Sequence, residues 1–574
     1  MSFSKTLSVL YRKYPLLRIG FSILLVTLII GVISVVTIET RQFPEISSIM
    51  PAVGTAGDIM TINGQHFGDK QGTSDYVEVG GSRITSNGYL GWNDTQIKVI
   101  LPVNVQDGLV IVRTKNGQSK PGFFANTAGI PVLVPPDAQT SMPVISSVSP
   151  SSGSYGTLLT ISGTNFGTIR GNSAVKFTAN RDDVALTPLS SSASDDTQGE
   201  FDIQYIQANE NNYDYEYWSD SEIRVRIPDG AASGPFSITT EKGDSNVAQI
   251  EIQLPAGTKS YTNRRTYLLQ LSEEVENLDS KNHTTVTMRV PRPVVYALQP
   301  MAELTECKPA PVIADYKNTI IHQIELARAT GRKMRFTQNF VVSTYAVQTT
   351  INPARVRQFS EKNRLLYLAA TQADSLIPSK KPEVIAKAKE IVKKETNPYK
   401  QAKLIFDYLF ENYDLHARPR RSNETVIDLL NKKQGDAYDL SALFTTLVRS
   451  LGIPCLPVSG ILVDSDLKAQ SHWWSEFYIE NFGWIPVDIA LAKDGLDYKA
   501  FKKPDDPRAF YFGNLDGQHI AFSRGWNEVK PALINSKIVQ RPKSYAFQSI
   551  WEESSEGKVN YSTLWNDPVI LGIY

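Results

Sequence analysis

Few side chains in this sequence have the type and spacing for chemistry beyond simple proton exchange. There are two cysteines, Cys307 and Cys455, and six histidines, at positions 66, 283, 322, 416, 472 and 519. The cysteines form no Cys-x-x-Cys pair, so neither a zinc site nor a disulfide framework is indicated. No two histidines stand in an HxxxH or HExxH spacing, which removes the helical metalloprotease pattern. No metal and no cofactor is expected. What remains is one strand-like block, His472-Trp473-Trp474-Ser475-Glu476-Phe477-Tyr478, and a set of carboxylates that includes Asp436, Asp439 and Asp488. A lone histidine on a strand is usually structural, so its meaning depends on the segments that accompany it.

Those segments are specific. Gly435-Asp436-Ala437-Tyr438-Asp439 is followed by Leu443-Phe444, by Leu451-Gly452-Ile453-Pro454, and later by Gly483-Trp484-Ile485-Pro486-Val487-Asp488. Together with the His472 block they resemble the transglutaminase-like superfamily, in which Gly-Asp-Cys opens a helix that ends at Gly-Ile-Pro. The resemblance implies an α+β, papain-like core with a Cys-His-Asp constellation. It sets the nucleophile at position 437, the base at His472, 35 residues on, and the orienting carboxylate at Asp488, 16 further. Position 437 is alanine. A methyl group cannot attack a carbonyl, so the resemblance implies a pseudoenzyme. It further implies that Trp474 and Glu476, in a His-x-Trp-x-Glu block, join Asp436 as binding residues around the site.

Other nucleophiles are poorly placed. Ser441 stands one helical turn beyond Ala437, a rise of about 5.4 Å from the required position. Cys455 follows Gly-Ile-Pro at the far end of the helix and reads as a small core hydrophobe. Cys307 lies 130 residues upstream of Ala437 in a Pro-rich stretch. Asp436 acting as a base with His472 stays open; the plainer reading is a helix N-cap, with Asp439 three residues on. Residues 511–516 and 519–523 resemble the closing segment of such cores, which makes His519 a candidate for the edge of the site; surface placement is the plainer reading.

These residues need rigid elements to hold them. Residues 399–413 carry a helical apolar stripe at Ala402, Ile405, Phe406, Leu409 and Phe410. A short helix is expected over 425–431, and a longer one over 437–451, with Gly452 as its stop. Strands are expected over 455–463, 471–479 and 483–488. The aromatic tail, 500–574, is expected to cap the cleft. Upstream, 258–390 is mixed: strands over 285–291 and within 336–346, then a helix over 382–394 with its proline in the first turn.

The N-terminal half contains a repeat. Pro44-Glu45-Ile46-Ser47-Ser48-Ile49-Met50-Pro51 matches Pro143-Val144-Ile145-Ser146-Ser147-Val148-Ser149-Pro150 at an offset of 99, and so do Gly64, Phe67 and Gly68 with Gly163, Phe166 and Gly167. Farther on, Trp92-Asn93-Asp94 matches Trp218-Ser219-Asp220 at an offset of 126. An insertion of 27 residues is therefore expected within 190–217, as an exposed loop. Short alternating runs with Gly/Pro turns predict antiparallel sandwiches. The Thr-Ile-x-Gly-x-x-Phe-Gly block resembles IPT/TIG domains, which implies immunoglobulin-like folds.

Lys and Arg together number 59, as do Asp and Glu, so the net charge is zero. This argues against a nucleic-acid binder. Residues 19–38 carry no charge, follow Lys5, Arg12, Lys13 and Arg18, and are long enough to span about 30 Å of hydrocarbon. The positive-inside rule then places the N-terminus in the cytoplasm and the rest outside; a cleaved signal peptide, whose apolar core would be about 7–15 residues, is the rival reading. The expected organisation is a multidomain, β-rich chain: 1–42 a stub and transmembrane signal anchor, 43–130 and 142–255 the two immunoglobulin-like domains, 258–390 the mixed region, and 391–574 the transglutaminase-like domain. The expected function is an extracytoplasmic, single-pass membrane protein that binds peptide, protein or cell-envelope material without catalysis. An amidase, protease or transglutaminase with a non-standard nucleophile, and an adhesin or scaffold acting through the sandwiches, are the alternatives.

Overall fold

The computed structural model describes residues 43–102, 105–126, 142–182, 205–280, 284–326, 329–360, 364–419, 424–529, 537–541, 543–554 and 559–574, with the single positions 27, 362 and 531. Two compact units emerge, 1–130 and 131–574. The expected anchor at 19–38 lies outside the described residues except for Thr27. Among the described residues no helix is long and apolar enough to cross a membrane.

The first unit is a two-sheet sandwich. One sheet orders Glu45–Met50, Ile59–Gln65, Gln96–Ile100 and Tyr89–Trp92; the other runs Val53–Gly54, Gly122–Asn126, Gly108–Thr114, Tyr76–Val79 and Ser82–Arg83. Pleating sends alternate residues inward, and Met60, Ile62, Ile97, Val99, Val110 and Val112 form its core. The second repeat has the same strand order. One corner explains the shared motifs. Phe67 and Phe166 are buried, and their carbonyls accept the indole N–H of Trp92 and Trp218 at 2.9 and 3.2 Å. The N–H groups of Gly68 and Gly167 donate to Asp94 and Asp220, each at 3.0 Å. A Cβ on Gly64 or Gly163 would come within 2.0 Å of a carbonyl oxygen on the neighbouring strand. The two matched blocks are thus two halves of one contact, preserved although their sequence offset changes.

The insertion departs from expectation. Its described part is no exposed loop: Tyr205–Gln207 adds an edge strand to Ala174–Ala179, and Asp214 is buried, accepting the Asn209 N–H at 2.8 Å. Tertiary partners order it, since Asn212 bonds Arg524 of the core.

Two sheets follow. Gly257–Ser280 pairs along Ala329–Ile351, flanked by Met301–Lys308 on one side and by Val559–Trp565 and Val569–Ile573 on the other. The second sheet orders Thr319–Leu326, Thr284–Pro291, Glu552–Ser554 and Lys537–Val539. The tail therefore does more than cap a cleft: it supplies strands to both sheets of the region upstream of the core. Local pattern cannot announce such pairing, because partners such as Ser280 and Val559 are far apart in sequence.

The core carries helices α1 (Pro382–Val392), α2 (Pro398–Asn412) and α3 (Ala437–Ser450), and strands β1 (Cys455–Val463), β2 (Ala469–Ile479), β3 (Gly483–Val487) and β4 (His519–Arg524). A one-turn helix, α4 (Ile489–Ala492), follows β3. The sheet order is β3-β2-β1-β4, antiparallel throughout. Helix α3 is buried at every position but Tyr438 and Ser450. Small residues let it sit close to β2: Ser475 Oγ lies 3.0 Å from Ser441 Oγ and 3.1 Å from Thr445 Oγ1.

The second sandwich is locked to this core. Lys259 is buried and reaches both oxygens of Asp229, at 2.8 and 2.7 Å, and the Trp484 carbonyl. Gly156, at φ +82, seats Tyr478, whose hydroxyl would stand 1.7 Å from an added Cβ. Its counterpart Gly57, at φ +85, has nothing within 4 Å. Gly57→Ala should therefore show only left-handed backbone strain, about 1–2 kcal/mol. Gly156→Ala should add displacement of a packed tyrosine, and the larger loss of melting temperature would report it.

Glu273 gives a pH signature. It is buried, and burial pushes its carboxyl up to about 8 against a hydrogen bond with Gln338. A carboxyl kept neutral by the fold favours folding fully below its ordinary value of 4.5, and that stability is lost as pH rises toward about 8. The slope is about 1.4 kcal/mol per pH unit. Glu273→Gln should flatten the melting temperature between about pH 5 and about pH 8; an unchanged slope would assign the titration to another group.

Candidate functional site

The start of α3 is a capping box. Asp436 Oδ1 accepts the Asp439 N–H at 3.0 Å, and Asp439 Oδ2 accepts the Asp436 N–H at 3.1 Å. A Cβ on Gly435 would stand 2.7 Å from that of Asp439, so the residue before the cap has no side chain. Both carboxylates are buried, and Lys543 Nζ from the tail reaches them at 3.0 and 3.2 Å. The same ammonium lies 4.8 Å from the centre of the Tyr438 ring.

Ala437 opens the helix and is 6% exposed. It packs in one apolar cluster with Trp473, Ala490 and Phe547, edged by Tyr438, Leu415 and Trp526. Phe547 is held by its N–H, which donates to Ser523 Oγ at 2.7 Å. The tail segment from Lys543 to Phe547 thus closes over the position that the resemblance assigns to the nucleophile.

His472 and Asp488 come together. His472 Nε2 lies 2.6 Å from Asp488 Oδ2, which leaves Nδ1 as the ring atom for any proton transfer. Asp488 follows β3 and caps α4, its Oδ1 accepting the Leu491 N–H at 2.9 Å. Its Oδ2 also meets His519 Nε2 at 3.1 Å. His519 Nδ1 lies 2.8 Å from Asp516 Oδ1, and Asp516 Oδ2 accepts the Tyr511 hydroxyl at 2.9 Å. Trp474 stacks along His472 and meets His519 edge-on, with ring centres at 6.2 and 5.0 Å.

His519 is thus no surface residue; it is buried in the middle of the site. The only sequence signal was Asp516 three positions before it. Burial pulls its imidazolium down, but the charges of Asp516 and Asp488 and their hydrogen bonds outweigh that and raise it to about 9. It therefore donates from both nitrogens. Burial pushes the Asp488 carboxyl up, and the charges and hydrogen bonds of His472 and His519 overcome this, holding it well below the usual carboxylate range. The ligand-capable atoms of His472, Asp488 and His519 all lie within 4.8 Å of one another.

Of the three expected binding residues, Asp436 caps α3 beside Ala437 and Trp474 lies along the His472 ring. Glu476 is engaged elsewhere. Its Oε2 accepts from Arg524 at 2.6 and 3.0 Å, and Arg524 also holds Asn212 of the second sandwich. Glu476 is thereby part of the joint between domains. The three substitute nucleophiles are also accounted for. Ser441 donates to the Trp474 carbonyl. Burial pushes the Cys455 thiol up to about 12. The Cys307 thiol is pushed up by burial to about 11 and lies 3.7 Å from His322, in the upstream sheets.

Comparison with known proteins agrees with this architecture. Residues 385–489 match the transglutaminase-like superfamily, and residues 44–127 and 143–254 each match the IPT/TIG domain. An uncharacterized protein of Haemophilus influenzae is 27% identical over 162 residues, 23% of this chain and 44% of that one. A cyclomaltodextrin glucanotransferase of Paenibacillus macerans is 37% identical over 81 residues, 14% of this chain and 11% of that one. The chain thus spans less than half the length of either relative. Similar solved structures include a candidate cysteine protease from Cytophaga hutchinsonii, at 13% identity, 55% of this chain, 93% of that one and a TM-score of 0.34. The periplasmic domain of TgpA from Pseudomonas aeruginosa follows at 15% identity, 39% and 88% coverage and a TM-score of 0.23. The chain carries a transglutaminase-like superfamily core behind two IPT/TIG domains.

Proposed function

We propose that this protein is a membrane-anchored, extracytoplasmic pseudoenzyme that binds peptide or cell-envelope material through the body built on its transglutaminase-like core. The observation that carries the proposal is the state of position 437. His472 and Asp488 are paired and the helix start is capped, yet position 437 holds a methyl group packed with Trp473 and Phe547. The two thiols, both pushed toward higher pKa, and the hydrogen-bonded Ser441 weigh against an alternative nucleophile.

Binding moves to another place in this reading. A cavity of about 250 Å³ lies between the second sandwich and the core, lined in part by Arg226, Arg357, Arg364, Phe359, Tyr367 and Glu480. Arg226 and Arg364 are both paired with Glu216, so it is the Arg357 guanidinium that would meet carboxylate-bearing material, and the aromatic rings supply apolar faces. Anchoring by residues 19–38 would hold this cavity outside the membrane.

Two measurements test the proposal. Full-length protein in detergent should cosediment with isolated cell-wall sacculi without releasing amines, and Arg357→Glu should weaken capture at least about fivefold, a loss of about 1 kcal/mol. Amide cleavage that disappears with His472→Ala would overturn the pseudoenzyme reading. Separately, Ala437→Cys should react slowly with iodoacetamide in the folded protein because the position is covered. Adding Phe547→Ala should raise that rate by about tenfold or more; a fast single variant would show the site to be open.

A further inference from the structure

We propose that the cluster of His472, Asp488 and His519 is a binding site for one divalent transition-metal ion of the zinc class, formed where the Cys-His-Asp constellation has lost its thiol. The inference is independent of the peptide- or wall-binding reading, because it concerns what holds the core together.

Three features carry it. First, the ligand atoms converge. His472 Nε2 and His519 Nε2 both point at the same oxygen, Asp488 Oδ2, at 2.6 and 3.1 Å. Two imidazoles and one carboxylate form a donor set suited to zinc. Second, the outer contacts are those that orient metal ligands. His519 is tied through Nδ1 to Asp516, and Asp488 through Oδ1 to the Leu491 N–H. A ligating histidine almost always gives its second ring nitrogen to such a partner. Third, the ligand-capable atoms of the three residues all lie within 4.8 Å of one another, and all three residues are buried.

Charge points the same way. With neutral imidazoles the group carries the two buried carboxylates Asp488 and Asp516, a charge that one divalent ion balances. The ion takes the place of the Nε2 protons now shared with Asp488: that of the His519 imidazolium leaves to solvent, and that of His472 moves to its Nδ1, so both rings ligate as neutral imidazoles. Because His472, Asp488 and His519 are all buried, the ion would act as a clamp joining β2, the β3–α4 turn and β4. It would not be a Lewis acid open to substrate.

The test uses the full chain, stripped with chelator, loaded with zinc chloride and desalted. About one zinc per chain should remain, and the melting temperature should rise by several degrees, as follows when an ion binds only the folded state. Loading with cobalt(II) instead should give a visible absorption band from the unaltered protein. His519→Gln should lose the retained zinc and the band, whereas His322→Gln, at a buried histidine outside the cluster, should keep both. Asp516→Asn, which leaves the three ligands in place, should weaken zinc binding by about 10–100-fold. The inference is overturned if the unaltered protein retains no zinc and shows no cobalt band, or if His519→Gln retains both.

Discussion

The core depends on the Asp488 carboxylate. It is buried, and a buried carboxylate is tolerated only where donors replace the water it has lost. It has three such donors from three parts of the chain: the Leu491 N–H of the helix it caps, His472 on β2 and His519 on β4. β2 and β4 are not neighbours in the sheet; β1 lies between them. Asp488 thus ties strands that the backbone ladder does not join directly. His472 and Asp488 thus have a structural role that needs no thiol at position 437. Removing either partner would strand a buried polar group at about 1–3 kcal/mol or more, so structure alone is enough to hold the pair.

The same logic separates the two IPT/TIG domains. Their internal corners are nearly identical, down to the Trp indole on the Phe carbonyl. Their roles in the chain differ. The second copy shares a buried ammonium, Lys259, with the core, and its turn glycine seats Tyr478. Its insertion supplies Asn212 to Arg524. The first copy forms a compact unit of its own. A repeat recognised in sequence therefore says what folds, and the partners of each copy say what that fold is used for.

Legibility followed the range of the contact. The helix from Ala437, its Asp436–Asp439 box and the strand Cys455–Val463 were readable because stripe, cap and stop are local. The strand positions of His472 and Asp488 were readable from adjoining motifs. The long Gly257–Ser280 strand was missed, since much of it faces tail strands distant in sequence and its own pattern is not a simple alternation. His519 was placed between the surface and the edge of the site for the same reason: its partners Asp488 and Trp474 come from other segments of the chain. Glu476 shares a strand with His472, but Arg524, not the motif, decides what it contacts.

The helix start carries a methyl group at position 437, and its surroundings match that methyl group. Lys543 neutralises the two carboxylates at the helix start, and Phe547 and Trp473 pack on the methyl group. A working nucleophile at a helix N-terminus needs access and an environment that favours its anion; here both are replaced by apolar cover and a buried Asp–Lys–Asp arrangement. Packing over position 437 adds stability, and each apolar side chain buried there restricts access to it. The alanine and its cover support one another.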